Sequence, residues 1–232
     1  MRPEDVSEVR ALALFRDMRD TTFETLLQAS FLQRFPPGVV LIRENESADF
    51  LHVVIEGGVE MFAASGGRET TISFERPVSA FILAAVLKDQ VYLQSARTVE
   101  ASRILMIPSA SVRRAMDADP AFMAAVVAEL ATAYRSVVKD LKSQKLRTGA
   151  ERLANWLLRL EREQNGQGHV EIDVEKRQLA ARLGMTPENL SRAFAALKAH
   201  GAAVRGMRVE FTDRAALAAF AQPDPLVDDE RS

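Results

Sequence analysis

The segment that most constrains this chain runs Gln178-Leu-Ala-Ala-Arg-Leu-Gly-Met-Thr-Pro-Glu-Asn-Leu-Ser-Arg192. Leu179, Ala180 and Leu183 share one face at helical spacing. Gly184 then supplies the positive φ that ends a helix. Thr186 is placed to cap a second helix, with Pro187 at its first position, where a missing N–H costs nothing. In that second helix Leu190, Phe194 and Leu197 are expected to point inward, leaving Thr186, Glu188, Asn189, Ser191 and Arg192 outside. Two short helices joined by a glycine turn, one face apolar and the other polar, have the layout of a helix-turn-helix. The second helix of that motif enters the major groove of double-stranded DNA.

Local charge points the same way. Between Lys176 and Arg208 there are seven basic residues against the single acid Glu188, a local charge of +6 in a chain whose net charge is −2. A basic island in a nearly neutral protein suits contact with phosphates in one place. The same pattern would fit a plain helical hairpin with a solvated basic face. The lone acid favours DNA, because a carboxylate facing DNA is costly unless it accepts from a cytosine amino group.

The 232 residues suffice for two domains and a connector. With 47% hydrophobic and 27% charged residues the composition is that of a globular protein. There is no cysteine, which excludes disulfides, a cysteine-ligated iron–sulfur cluster, thiolate zinc and thiol sensing. The amino terminus, Met1-Arg-Pro-Glu-Asp, is polar, and no uncharged apolar run approaches the roughly 20 residues of a membrane span. A cytoplasmic protein without membrane contact is expected.

Four segments follow from the patterning. Residues 5–34 read as helical, with Val6, Val9, Leu12 and Leu14, then Phe23, Leu26, Leu27 and Phe31, until Pro36-Pro37-Gly38 breaks the pattern. From Val39 to about Ile107, short apolar runs at 39–42, 50–55, 59–62, 70–74 and 103–107 are separated by turns such as Glu56-Gly57-Gly58 and Ser65-Gly66-Gly67. That indicates an antiparallel sandwich or jelly roll. Together with a short helix at 109–117 it makes a first domain over 1–117. A long helix opens at Asp119-Pro120 and ends near Leu146, giving a connector over 118–146. Along it Val127, Leu130, Tyr134, Val137 and Leu141 are spaced 3, 4, 3, 4, the a/d seam of a coiled coil, which suits a homodimer interface better than an intradomain core.

Residues 147–222 form the DNA-binding domain. It starts with a helix at 150–163, followed by a short strand at 169–172 and Asp173 as a candidate cap for the first helix of the helix-turn-helix. A hairpin wing over 203–211 turns at Arg205-Gly206 and would aim Arg205 and Arg208 at flanking backbone. The tail, 223–232, carries four acids against Arg231 and is expected to be disordered.

The order of jelly roll, long helix and winged helix-turn-helix, an α+β fold, resembles the CRP/FNR family of bacterial transcription regulators from about Leu14 to Ala218. The stretches Ala48-Asp49-Phe-Leu-His-Val-Val-Ile-Glu-Gly57-Gly-Val59, Ala96-Arg97 and Ile104-Leu-Met-Ile-Pro108 are similar to the family's sensory barrel. Leu179-Ala-x-x-Leu-Gly-x-Thr-x-Glu188-x-x-Ser191-Arg192 is the most specific match, and resembles the FNR branch more than the cyclic-AMP receptor branch. The resemblance implies a dimer that contacts RNA polymerase and reads a palindrome close to TTGAT-N4-ATCAA. Glu188 and Arg192 would be on base edges, with Ser191 assisting.

In family members that bind cyclic nucleotides, a Gly-Glu pair and an Arg-Ser or Arg-Thr pair hold the ribose and the cyclic phosphate. Here Ile82-Leu83 and Tyr92-Leu93 occupy the places that resemble those pairs, with Arg97 nearby. Burying a phosphate against Ile, Leu and Tyr without a cation is costly. An apolar ligand in a pocket formed by Phe81, Ile82, Leu83, Tyr92, Leu93 and Arg97, or haem, is the expected alternative, as is a regulator with no ligand. His52 is a weak haem-ligand candidate, better read as a packed core or dimer-facing residue, with Met61 and Met106 as conceivable axial partners. Two other classes stand against the regulator. A cupin-like metal enzyme would need clustered His and carboxylate ligands, whereas this barrel has one His. An adaptor with a degenerate DNA-binding half is opposed by Glu188, Ser191 and Arg192 together.

Overall fold

The computed structural model describes residues 2–229. They fall into two compact units, Met1–Tyr134 and Arg135–Ser232, the division lying inside the long helix.

The first unit opens with α1 (Pro3–Ala11) and α2 (Asp20–Gln28). The expected helical segment does not continue to residue 34. Residues Phe31–Phe35 form β1, paired with the later β8 (Ser102–Pro108) from Phe31↔Met106 to Phe35↔Ser102. Ser30 Oγ donates to the Leu26 carbonyl at 2.7 Å at the end of α2, and the partner strand then overrides the helical spacing of the apolar residues. The next strands, β2 (Val40–Ile42), β3 (Phe50–Glu56), β4 (Val59–Ser65) and β5 (Arg68–Glu75), coincide with the expected runs. Two strands and a helix are additional: β6 (Ser79–Phe81), α3 (Leu83–Lys88) and β7 (Ser95–Thr98).

The strands make two four-stranded antiparallel sheets, ordered β1-β8-β3-β6 and β2-β7-β4-β5, which is the expected sandwich. In the second sheet Val59, Met61 and Ala96 face the core. Gly57 turns β3 into β4 at φ +86°, and a Cβ there would lie 2.5 Å from the Ala101 carbonyl oxygen, so only glycine fits.

After β8, α4 (Ser109–Ala118) leads to Asp119. Its carboxylate caps α5 (Pro120–Leu146) by accepting from the N–H of Ala121 at 3.0 Å. Phe122 and Val126 bury one side of this helix in the sandwich core, with Phe122 stacked on Phe15. Leu130 is also drawn partly into that core, a departure from its expected place in the seam alone. Val127, Tyr134, Val137 and Leu141 are exposed. By length and mean hydropathy alone α5 could cross a membrane, although Glu129 and Arg135 interrupt it.

In the second unit, Thr148 caps α6 (Gly149–Glu163) with a reciprocal Thr148–Glu151 box. Then follow β9 (His169–Glu171), α7 (Lys176–Arg182), α8 (Pro187–Leu197), β10 (Ala202–Arg205), β11 (Arg208–Phe211) and α9 (Arg214–Ala221). The three strands form one antiparallel sheet, β10-β11-β9. Leu153, Leu157, Leu179, Leu190, Leu197, Val209 and Leu217 make a core of their own.

Two expectations fail in this unit. Asp173 does not cap α7: the capping position is Glu175, without a side-chain bond. The acidic tail is not disordered over its described residues: Pro225–Asp228 form a helical turn, α10, held by ion pairs to α5 and its end. Residues 230–232 of that expected disordered tail lie outside the described residues.

Candidate nucleic-acid interface and sensor face

The turn between α7 and α8 is built as the residues require. Gly184 (φ +61°) donates to the Ala181 carbonyl and Met185 N–H to that of Ala180, both at 2.9 Å, which satisfies the orphan carbonyls at the end of α7. Thr186 Oγ1 accepts from Asn189 N–H at 3.3 Å and starts α8, with Pro187 in the first turn. On α8, Leu190, Ala193 and Leu197 are buried, and Glu188, Asn189, Ser191 and Arg192 are exposed.

The outward residues are organised among themselves. Arg192 Nη1 donates to Asn189 Oδ1 at 3.4 Å, and Ser191 Oγ donates to the Pro187 carbonyl at 2.9 Å. Glu188 is held below the usual carboxylate range, first by a backbone N–H and then by the Thr186 hydroxyl, with the Lys176 and Arg192 cations assisting. It therefore presents a charged acceptor beside a planar donor, the two chemistries that read cytosine N4 and guanine O6/N7.

The wing turns through Gly206 (φ +65°) and Met207, with Arg205 opposite Arg208. Both arginines are exposed but engaged. Arg205 lies 3.6 Å from Glu210, and Arg208 lies 3.2 Å from Glu171 and 3.7 Å from Glu210. Both acids lie outside the +6 stretch from Lys176 to Arg208, so the wing is less basic than that charge suggests. Such exposed pairs are worth about 0–1 kcal/mol, which leaves the guanidiniums exchangeable to phosphate.

One residue invisible to motif reading joins this site to the helix before it. Arg152, on α6, donates from Nε to the Leu183 carbonyl at 2.8 Å, from Nη2 to Gly184 at 3.3 Å and from Nη1 to the Arg147 carbonyl at 2.8 Å. No spacing rule connects residues 31 apart in this way.

The expected effector residues separate. Phe81, Leu83 and Tyr92 are buried, and Ile82 takes a left-handed conformation (φ 72°) ahead of α3. Leu93 is 84% exposed and does not line a buried site. Arg97 sits on the face of its sheet opposite Met61 and Ala96. There it bonds Glu60 at 2.7 Å and Glu69 at 2.6 Å and lies over the Phe62 ring at 4.4 Å. Pairing it with two acids removes it as a free phosphate-binding cation.

His52 is buried mid-strand, stacked on Phe81 with ring centroids 5.3 Å apart, and lies opposite Met106 across β3 and β8. Burial lowers its pKa to about 4, so the imidazole is neutral at physiological pH, and its Nδ1 makes no hydrogen bond of full geometry among the described residues. A cleft of about 670 Å³ opens elsewhere, beside β1, lined by Arg2, Asp5, residues 30–34 and Arg103.

Residues 151–220 match a family model described as a Crp-like helix-turn-helix domain, and residues 32–119 match one described as a cyclic nucleotide-binding domain. A regulatory protein from Silicibacter pomeroyi DSS-3, to which cAMP binding is attributed, is 31% identical. The match spans 94% of this chain and 100% of that one, with a TM-score of 0.56. FixK2 from Bradyrhizobium japonicum is 21% identical over 82% of this chain and 96% of its own, with a TM-score of 0.65. A variant of CooA from Carboxydothermus hydrogenoformans is 19% identical over 84% and 89%, with a TM-score of 0.69. The last two share the fold. No curated protein sequence matches the chain.

Proposed function

The chain belongs to the CRP/FNR family of transcription regulators, and from that premise we propose that it acts in the cytoplasm as a homodimer reading a palindrome close to TTGAT-N4-ATCAA. The observation that carries this reading is α8 itself. Its capped N-terminus places Glu188, Asn189, Ser191 and Arg192 together on the solvent side while the opposite side is buried. The exposed apolar stripe on α5 supports pairing with a second copy, which would present two such helices to half-sites about 10 bp apart. Once on DNA, the dimer would act through RNA polymerase. Selection from a random oligonucleotide pool tests the reading: the expected result is an inverted repeat with those half-sites. A pool without enrichment would reassign the chain as an adaptor.

The effector is proposed to be something other than a cyclic nucleotide, although cAMP binding is attributed to the Silicibacter pomeroyi relative. Leu83 and Tyr92 are buried and carry no cation, and Arg97 is committed to Glu60 and Glu69. A cyclic phosphate among such groups would lose hydration without gaining a counter-charge. An apolar small molecule near Phe81, Leu83 and Tyr92 fits better. An effector shifts a two-state regulator only through differential affinity, so titration calorimetry with millimolar cAMP or cGMP should show no saturable heat and no tightening of DNA binding. Saturation together with tightening would overturn this. A second reading, haem, is favoured by one observation, the buried Nδ1 of His52, which has no hydrogen bond of full geometry among the described residues. A Soret band in protein purified from its own host would establish it.

A further inference from the structure

The described part of the C-terminal segment grips the joint between α5 and α6. Only Arg147 and Thr148 separate these helices, so their torsions set how the DNA-reading half is carried on the end of α5. Arg147 is largely buried and makes a bidentate pair with Asp228, Nη1 to Oδ1 at 2.8 Å and Nη2 to Oδ2 at 2.6 Å. Lys142 lies 3.3 Å from Asp224, and Lys139 donates to the Asp229 carbonyl at 2.7 Å. The segment is shaped for this. Asp224 Oδ1 caps α10 by accepting from Leu226 N–H at 2.9 Å, and Asp228 Oδ2 accepts from Asp224 N–H at 2.7 Å. From the other side, the Arg147 carbonyl accepts from Arg152, whose guanidinium also holds the Leu183 and Gly184 carbonyls of the turn ahead of α8.

We infer that residues Asp224–Asp229 form an ionic strap that locks the Arg147–Thr148 joint and so pre-organises the recognition helix for DNA. Planar guanidinium–carboxylate pairs are directional, so the pair fixes orientation as well as distance. A joint fixed beforehand spares the entropy of ordering it on binding.

Two substitutions of opposite charge separate the strap from simple electrostatics. Asp228→Asn removes a negative charge and on charge alone should tighten DNA binding. Arg147→Gln removes a positive charge and should weaken it. If the strap acts as inferred, both weaken binding to a TTGAT-N4-ATCAA duplex by about five- to tenfold, the scale of a modest coupling between sites, and the double variant is no worse than either single one. Both also speed hydrogen exchange of the free full-length protein at the amides of residues 147–152, a readout independent of DNA. Should either variant fail to fold, Lys142→Gln replaces Arg147→Gln and Asp224→Asn replaces Asp228→Asn, which keeps the two charge changes opposite. Affinities that move in opposite directions, exchange that is unchanged, or faster exchange with unchanged affinity each overturn the inference. The affinity arm rests on the proposed DNA reading, and a wild-type chain that ignores the duplex would indict that reading, while the exchange arm still decides whether the strap restrains the joint.

Discussion

Val137→Glu is expected to dissociate the proposed dimer and to abolish specific DNA binding while leaving the fold of each chain intact. In the protomer Val127 is 56% exposed, Tyr134 71%, Val137 63% and Leu141 50%. They recur along α5 at intervals of seven, 127, 134 and 141, with Val137 between the last two at the other seam position. Solvent-facing apolar residues in that register suit burial against a second copy. Each gains about 1.5–3 kcal/mol when buried. A glutamate at Val137 would lie beside its symmetry mate in the seam. Desolvating it without a partner costs about 2 kcal/mol or more per copy, and the two-fold axis doubles that figure. At about 4 kcal/mol in total the dimer dissociation constant rises about a thousandfold.

Sedimentation at micromolar concentration should show a monomer, and fluorescence anisotropy with the palindromic duplex should show no specific binding. A thermal melt close to wild type would confirm that the substitution acts on assembly alone. Leu130→Glu is a poorer test, because Leu130 is packed partly into the sandwich core of its own chain. An intact dimer for Val137→Glu would remove α5 as the interface.

The parts of this molecule that could be read in advance are those ruled by local chemistry. Gly184, Thr186 and Pro187 each obey a rule that acts within one turn of chain, and α8 starts where they require. The glycine pairs at 57–58 and 66–67 turn strands for the same reason. What could not be read depends on partners distant in sequence. Phe31 and Leu32 suit a helix as well as a strand until Met106 and Leu105 pair with them. The three residues of β6 show no periodicity at all. Its neighbourhood in sequence puts Arg97 with the pocket residues, but alternation along β7 carries it to the opposite face, where it pairs with Glu60 and Glu69. Leu93, close by, faces solvent. Composition alone gives the acidic tail as disordered. Arg147 and Asp228 are 81 residues apart, and nothing in either neighbourhood announces their pairing.

Arg192→Ala should be the most damaging change within the DNA surface that leaves the protein folded and dimeric. Arg192 is exposed, so removing it creates no cavity, and its one hydrogen bond among those described, to Asn189, serves to aim it. A bidentate contact to guanine is worth about 1–3 kcal/mol of discrimination. A symmetric dimer makes the contact twice, so the loss is about 2–6 kcal/mol, or roughly thirtyfold to twenty-thousandfold in affinity at fixed salt. The preference at the G·C pair should relax as well. Arg192→Lys should recover little, because an ammonium keeps the charge but lacks the planar fork. Arg205→Ala is the control: a wing residue on phosphate should weaken all sequences alike and reduce the salt slope by about 1 per contact. Selection from a random pool with each variant distinguishes the two roles. Should Arg192→Ala bind more weakly yet return the same base preferences, Arg192 touches only the phosphate backbone, and base reading would pass to Glu188 and its neighbours.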